Sequence, residues 1–533
     1  MAAPSAGTVE PTGVPASRPA RTKRNWRAWL LRLALAAASG FVFYLSFAPR
    51  DLWWLAPLAF AGFGFVLRGR RLWGGLGYGF VFGLGLYLPL LFWLQDFLGR
   101  SFGSAPWLAL SAALAAYLGL AAALCTVVAR LPGAPVWMAM VIIASETPRT
   151  WWPGGGFPWG RVAFSQPEGA FTPLASVGGA PLLGFAVVVT GFGLTALLVH
   201  AGRRDWRAVR LPVVAAVVPV VAGLALWPTI GTGAQAGTRT VAAVQGNAPD
   251  VGLDLMYESA TLRANHLAQS EVLAGQIRSG AVPRPDLIVW PETATDLTTT
   301  DPVLDQVVRD LGVPTLIGAR YREPGSTTQN TEFVWDPATG RGQSYSKQQL
   351  VPFAEFVPMR AIARWFTPFL DDTGDMRPGS APAVLDIAGT RVAVPICYEI
   401  AYDYVSRDAV NDGAQLIVLP TNNAWYGHSE MTYQQLAMAR LRAVEHGRAV
   451  VVSSTSGVSA LIEPDGTVTV STSQFTAESL VGSVPLRTQT TLSDRLGAWT
   501  EYGLVGAALV AVLAGLVLRS RNRGASTTAT RAE

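Results

Sequence analysis

Apolar positions fall into two textures along the chain. Runs long enough to cross a bilayer, two of them short, lie at about 26–47, 52–68, 73–95, 106–129, 134–147, 180–200, 211–229 and 502–518, and they predict about eight membrane helices. Between about 238 and 490 the pattern changes to short β-branched runs alternating with helical periodicity. Segments 240–245, 287–290, 315–318, 332–335, 391–396, 416–420, 449–453 and 459–462 read as strands, and 256–279, 301–311, 402–412 and 430–446 as helices. The pattern predicts a polytopic α-helical membrane bundle carrying one layered α/β domain.

Flanking charge sets the expected orientation. Residues 1–25 are rich in Ala, Pro, Ser and Thr and lead into Arg21, Lys23, Arg24 and Arg27, which reads as a disordered basic cytoplasmic head before an uncleaved anchor. With that head inside, Arg68, Arg70 and Arg71, then Arg203, Arg204, Arg207 and Arg210, and finally Arg519, Arg521 and Arg523 all fall on the cytoplasmic side. The division is then a head at 1–25, seven spans at 26–236, an extracytoplasmic domain at 237–495, an eighth span at 496–518 and a disordered cytoplasmic tail at 519–533.

Composition narrows the function classes. The 533 residues are 50% hydrophobic and 14% charged, which fits neither one soluble domain nor a disordered chain. The net charge of +5 comes from arginines clustered beside apolar runs, a membrane-flank pattern, so no nucleic-acid partner is expected. Arg32, Asp96 and Glu146 sit at helix ends or can snorkel, and no charged relay of the transporter kind stands out in the spans. The four histidines, His200, His266, His428 and His446, lack metal-ligand spacing, and no GxGxxG or Walker loop is present, so neither a metal nor a cofactor is expected.

The chemistry gathers at three strand ends. Segment 287–290 runs into Pro291 and Glu292; a later strand pair leads to Tyr345, Ser346 and Lys347; segment 391–396 ends at Cys397. Strand ends of α/β sheets commonly converge on one cleft. A thiol becomes a useful nucleophile when a base takes its proton and a cation stabilises the thiolate and the oxyanion; Glu292 suits the base, Lys347 the cation and Cys397 the nucleophile. Only Lys23 and Lys347 are lysines among 41 basic residues, and a compact ammonium fills a point-charge role that a wide Arg fork does not. Cys397 has no partner in the domain, because Cys125, the other cysteine, lies in a span. Taken singly, each residue has a structural explanation: a buried small hydrophobe, a helix cap, a surface charge. Together they point to catalysis.

Trp290-Pro291-Glu292, Tyr345-x-Lys347-x-x-Leu350-Val351-Pro352-Phe353-x-Glu355 and Ile396-Cys397-Tyr398-Glu399 resemble the Glu–Lys–Cys signature of the nitrilase superfamily. With helices on both sides, residues 26–518 resemble its membrane-embedded apolipoprotein N-acyltransferase family, as do Val244-Gln245-Gly246-Asn247, Asn423-Ala424-Trp425-Tyr426-Gly427 and Gly156-Phe157-Pro158-Trp159. The resemblance implies an αββα sandwich outside the bacterial inner membrane. It implies ping-pong transfer of an acyl chain from a phospholipid, phosphatidylethanolamine being the expected donor, through a Cys397 thioester to the α-amine of an apolipoprotein's diacylglyceryl-cysteine. By the same resemblance Glu355 is a second carboxylate near Lys347, Tyr398 and Glu399 are active-site residues, and the Cys397 and Tyr398 amides are oxyanion donors. The chain is expected to act as a monomer. A membrane-tethered carbon–nitrogen hydrolase with the same triad is the alternative, and a transporter or scaffold a more distant one.

Candidate lipid contacts are Phe157, Trp159, Asn423, Trp425, Trp365 and Phe366. The segment 151–159 reads equally as an interfacial aromatic belt and as a loop folding back on the site. Segment 359–370, with Arg360 and Arg364, reads as an arm dipping into the interface or as a piece packed on the domain's own surface. Two departures from the family stand out: 250–257 holds no Trp, and Asn423 and Tyr426 stand where Asp and Phe are common.

Overall fold

A computed structural model describes residues 26–252, 255, 258–357, 360 and 375–529, the side chains of 100, 101 and 522–529 excepted. The apolar runs fold as α1 (Trp26–Tyr44), α2 (Leu55–Leu67), α3 (Leu72–Leu90), α4 (Leu94–Phe102), α5 (Ala105–Val128), α6 (Ala134–Ala144), the single turn α7 (Glu146–Arg149), α8 (Ala175–Gly202) and α9 (Arg210–Leu226). Five helical segments among the described residues are long and apolar enough to cross a membrane: Trp26–Tyr44, Ala105–Val128, Thr172–Gly202, Arg210–Thr229 and Trp499–Arg521. At 13 and 11 residues α2 and α6 are shorter, about 20 and 17 Å at the α-helical rise. Glycines dilute the hydropathy of α3 but let it pack. A Cβ on Gly79 would lie 2.7 Å from Leu118 O and one on Gly83 2.6 Å from Ala115 Cα, so α3 and α5 meet backbone to backbone, as small residues four apart allow in bilayers.

The α/β domain holds two sheets. Strands β1 (Thr238–Gln245), β2 (Leu287–Val289), β3 (Thr295–Leu297), β4 (Thr315–Tyr321), β5 (Gln329–Asp336) and β6 (Gly340–Ser346) form the first, which β13 (Glu478–Pro485) joins at the edge beside β1. The second is ordered β12-β11-β10-β9-β8-β7, from β7 (Val384–Ile387), β8 (Thr390–Ala393), β9 (Leu416–Thr421), β10 (Val450–Ser454), β11 (Ala460–Ile462) and β12 (Val468–Ser471). The central strands β1, β2 and β4, and β8, β9 and β10, run parallel. Helices α10 (Ser259–Ser279) and α11 (Pro302–Leu311) belong to the first half, α12 (Asp403–Asn411) and α13 (Met431–His446) to the second. Strand alternation explains the layering. Val241 and Ala243 of β1 join the core that includes Ile417 and Val450 of the second sheet, whereas Ala242 and Val244 join Leu273 and Leu304 of α10 and α11.

After α14 (Leu492–Leu496) the last helix, α15 (Trp499–Ala529), runs to Ala529. The expected disordered tail from 519 is therefore helical as far as it is described, to Ala529; Arg519, Arg521, Arg523 and Ala525 favour helix and no proline interrupts it. The structure also adds buried charge. Glu146, Arg149 and Arg161 of the bundle meet Asp403, Arg442 and Glu445 of the α/β domain: Arg161 Nη1 and Arg442 Nη2 each lie 2.7 Å from Asp403 Oδ1, and Arg442 pairs with Glu445. Arg442 also donates to Ile400 O at 3.0 Å and Ala401 O at 3.2 Å. The network thus ties the bundle to the back of the turn that begins at Cys397.

Candidate active site

Glu292 follows β2 in a segment pressed against β4, and Gly318 makes that approach possible. A Cβ there would meet Pro291 O at 2.3 Å and Glu292 Cα at 2.8 Å. Lys347 follows β6, and its Nζ donates to Glu292 Oε1 at 2.7 Å and lies 3.0 Å from Glu355 Oε2. Burial alone would pull its pKa down, but Glu292 and Glu355 outweigh that and hold it well above the usual lysine range. Asn330 Nδ2 donates to both carboxylates, Glu292 Oε1 and Glu355 Oε1, at 2.6 Å each. The N–H of Asn422, just past β9, donates to Glu292 Oε2 at 2.9 Å, and Val351 N–H to Glu355 Oε2 at 2.7 Å.

Cys397 lies four residues past β8, at a positive φ of 51° that a side chain rarely adopts, and is buried. Burial first, then Glu292, push its thiol up to about 12, while Lys347 pulls it back. The resting group is therefore a protonated thiol. Gln435 of α13 points Nε2 at Cys397 Sγ, 3.6 Å away, while its Oε1 accepts from Thr421 Oγ1 at 3.0 Å and Asn423 Nδ2 at 2.8 Å.

The remaining expected residues divide by role. Glu399 turns away from the thiol and accepts from Tyr345 Oη at 2.9 Å, Gln348 N at 2.7 Å, Gln349 N at 3.0 Å and Ile396 N at 2.8 Å. Burial pushes its carboxyl up to about 7 against those donors. It is a brace between the Lys347 and Cys397 segments. Tyr398 stacks on Trp159, centroids 6.4 Å apart, and its hydroxyl donates to Gly156 O at 3.3 Å. In the 151–159 loop Trp151 and Trp152 are exposed, whereas Phe157 and Trp159 pack on the turn that begins at Cys397. Trp425 packs edge-on to Phe97 of α4 at 6.1 Å. Asn423 is buried among Gln435, Ser454 and Met431, a structural place rather than an exposed lipid contact. Trp365 and Phe366 lie outside the described residues.

A family model for the apolipoprotein N-acyltransferase N-terminal domain matches residues 39–193, and a carbon-nitrogen hydrolase model matches 240–492. The apolipoprotein N-acyltransferase of Mycolicibacterium smegmatis is 35% identical over 92% of this chain and 86% of its own, and that of Azotobacter vinelandii 33% identical over 91% and 95%. The chain belongs to the apolipoprotein N-acyltransferase family. It is an acyltransferase of the carbon-nitrogen hydrolase superfamily, with the hydrolase-type domain set between apolar helices. A solved superfamily protein from Xanthomonas campestris overlaps 46% of this chain and 91% of its own at 18% identity, with a TM-score of 0.34.

Sequence reasoning missed Asn330, Glu332 and Gln435, and read Tyr426 only as a departure from the family pattern. Asn330 and Glu332 share one face of β5, and both are buried. Neither carboxylate oxygen of Glu332 has a hydrogen-bond partner among the described residues, and burial followed by the Glu292 charge keeps its pKa well above the usual carboxylate range. Tyr426 is walled by Trp93 and Phe97, at 5.1 and 5.2 Å, and burial raises its pKa well above the usual tyrosine range.

Proposed function

We propose that Cys397, Glu292 and Lys347 transfer an acyl chain from a membrane phospholipid to the α-amine of the diacylglyceryl-cysteine of apolipoproteins. Glu292 takes the thiol proton as Sγ attacks the ester carbonyl, and the oxyanion forms beside the Lys347 ammonium. The N–H groups of Cys397 and Tyr398, which have no acceptor among the described residues, support the same oxyanion. Collapse breaks the ester C–O bond, Glu292 returns its proton to the leaving lysophospholipid, and a thioester remains. The acceptor amine attacks that thioester, Glu292 takes the amine proton, and the C–S bond breaks to leave an amide and the thiol. Glu355 and Asn330 hold Lys347 and Glu292 in register, and Glu399 and Tyr398 hold the nucleophile's turn.

The observation that carries this reading is the wall of the site. The loop after α7 supplies Phe157 and Trp159 against Tyr398, so the turn that carries the nucleophile is packed against a loop of the bundle. A two-chain lipid then reaches the thiol without passing through water, and the thioester is shielded from hydrolysis. The same reading puts the catalytic domain on the extracytoplasmic face of the inner membrane, both termini in the cytoplasm, with eight spans once α2, α3 and α6 cross alongside the five longer segments. Phosphatidylethanolamine is the donor and the enzyme works as a monomer.

Mass spectrometry of the purified protein after incubation with phosphatidylethanolamine and no acceptor tests the reading. A hydroxylamine-sensitive acyl adduct on Cys397 that moves to a diacylglyceryl-cysteine peptide is the expected result. Hydrolysis of small amides without any adduct from phospholipid would overturn it.

A further inference from the structure

The chain passes between the membrane and the outer domain at two places, and the two passages meet. One follows α9, whose Val214, Val217, Val218, Val221 and Leu224 are exposed as on a lipid-facing helix. It continues through the turn Trp227–Thr229 into a glycine-containing linker that leads to β1. The other leaves β13 and runs toward α14 and α15. Between them lies a cleft of about 440 Å³ lined by Thr229, Gly231, Gly233, Gln235, Arg487 and Gln489.

Arg487 is anomalous in this cleft. It is 8% exposed, no carboxylate among the described residues lies within ion-pair distance, and its Nε has no partner. Among the described residues its one side-chain hydrogen bond is to a neutral acceptor, Nη1 to Gly233 O at 2.8 Å. Nη2 would lie 3.2 Å from a Cβ on Gly231, so glycine keeps the guanidinium open at that side. The neighbourhood adds positive charge rather than removing it. Arg448, buried behind Gln489 and donating to its carbonyl at 2.8 Å, has its pKa pulled down to about 10 by burial, with Arg487 adding to the effect. The nearby carboxylate, Asp494, is taken up by His446 at 2.6 Å and by Thr491. The carboxylate that offsets Arg448 is thus already engaged, and none offsets Arg487. An occluded cation without its counter-charge is costly, and the missing partner is an anion.

We propose that Arg487 and the Gly231–Gly233 linker bind a phosphate oxyanion, presented by a phospholipid headgroup at the membrane boundary where α9 ends. The fork of Nε and Nη2 suits two phosphate oxygens, and Gly231 and Gly233, whose N–H groups have no backbone acceptor among the described residues, line the same cleft. A phosphodiester at this height keeps its acyl chains alongside the exposed valines of α9. The site is separate from the catalytic cleft. Thr238, paired with Pro485, begins β1, and Gln245 ends it on the side of Glu292; eight residues of strand put roughly 23 Å between them. The inference rests on α9 crossing the bilayer but not on the acyl-transfer chemistry.

Native mass spectrometry of the full-length protein, delipidated in detergent and titrated with phosphatidylglycerol, tests the proposal. Diacylglycerol, which lacks the phosphate, is the matching neutral lipid, and inorganic phosphate the matching free anion. Wild type should retain phosphatidylglycerol in preference to diacylglycerol. Arg487→Gln should lower that retention about tenfold, the worth of a charge-assisted hydrogen-bonded pair, with Arg487→Lys between the two and the exposed Arg284→Gln unchanged. Acyl transfer by Arg487→Gln in excess lipid should persist, which separates loss of this site from loss of fold. Equal retention by wild type and Arg487→Gln overturns the site. Binding of inorganic phosphate that Arg487→Gln abolishes, without preferential retention of phosphatidylglycerol, overturns the lipid as its source.

Discussion

Lys347 Nζ and Glu292 Oε1 lie 2.7 Å apart with both side chains almost wholly out of solvent, so the proposed general base and the proposed cation form one buried ion pair. Such a pair is held by geometry. Lys347 also reaches Glu355 at 3.0 Å, and Asn330 bridges the two carboxylates, leaving a space shaped for a small ammonium. Lys347→Arg keeps the charge but forces a planar fork into that space. Thioester formation by this variant should fall by at least about 100-fold, the scale of a lost electrostatic stabiliser, as read by acyl-adduct mass spectrometry. Near-wild-type rates would mean that charge alone suffices.

The two cysteines should separate cleanly. Cys125 lies in α5, its Sγ 3.5 Å from Met138 O, and no residue of the Glu292, Lys347 and Cys397 cluster borders it. Cys397→Ala should abolish the acyl adduct and transfer, and Cys125→Ser should leave both close to wild type. An equal loss from Cys125→Ser would remove the assignment of a single nucleophile.

Gln435 is a positioning residue for the thiol. Its Oε1 accepts from Thr421 and Asn423, which fixes the amide so that Nε2, the donor, faces Sγ at 3.6 Å. A donor aimed at sulfur favours the thiolate, and hydrogen bonds to a charged group contribute about 1.5–3 kcal/mol. Gln435→Leu should therefore slow iodoacetamide alkylation of Cys397 by roughly 10-fold or more at a fixed pH and move the alkylation pH profile upward. A slower reaction with an unmoved profile would mean that the substitution only disturbs packing.

Much of this site was legible because its chemistry sits at strand ends. Glu292, Lys347 and Cys397 each follow a β-branched run, and a rare lysine and a lone thiol carry information in an Arg-rich, Cys-poor chain. What supports them was not legible. Asn330 and Gln435 become supporting residues only through pairings 38 residues away in sequence, and on a strand or helix taken alone they read as polar surface. Strands β3, β7, β12 and β13 were missed for local reasons: three or four residues in the first three, and an edge strand with Gly482 in the last. Apolar runs fold as helices throughout, but glycine-rich α3 and the short α2 and α6 do not reach the length and hydropathy of the rest. The buried Glu146–Arg161–Asp403–Arg442 network was invisible because its partners come from opposite halves of the chain.

Glu332 supplies a prediction about pH. Its carboxyl lies against the Gly318 backbone beside Glu292, both oxygens without partners among the described residues, and burial and the Glu292 charge raise its pKa well above the usual range. In the unfolded chain the same group titrates near about 4.3. The folded protein therefore holds a proton that the unfolded chain has released, and stability due to this group is complete below the unfolded value and is lost as pH rises toward the folded one. Glu332→Gln keeps the shape of the neutral acid and removes that dependence. The variant and wild type should unfold alike near pH 4, and the variant should become progressively more stable than wild type as pH rises, by up to about 1.4 kcal/mol per pH unit within the window. Thermal midpoints measured across that range, in one detergent and at one scan rate, give the comparison. A midpoint difference that does not change with pH would mean that Glu332 is ionised in the fold, and the charge of the site would have to be recounted with a second carboxylate behind Glu292.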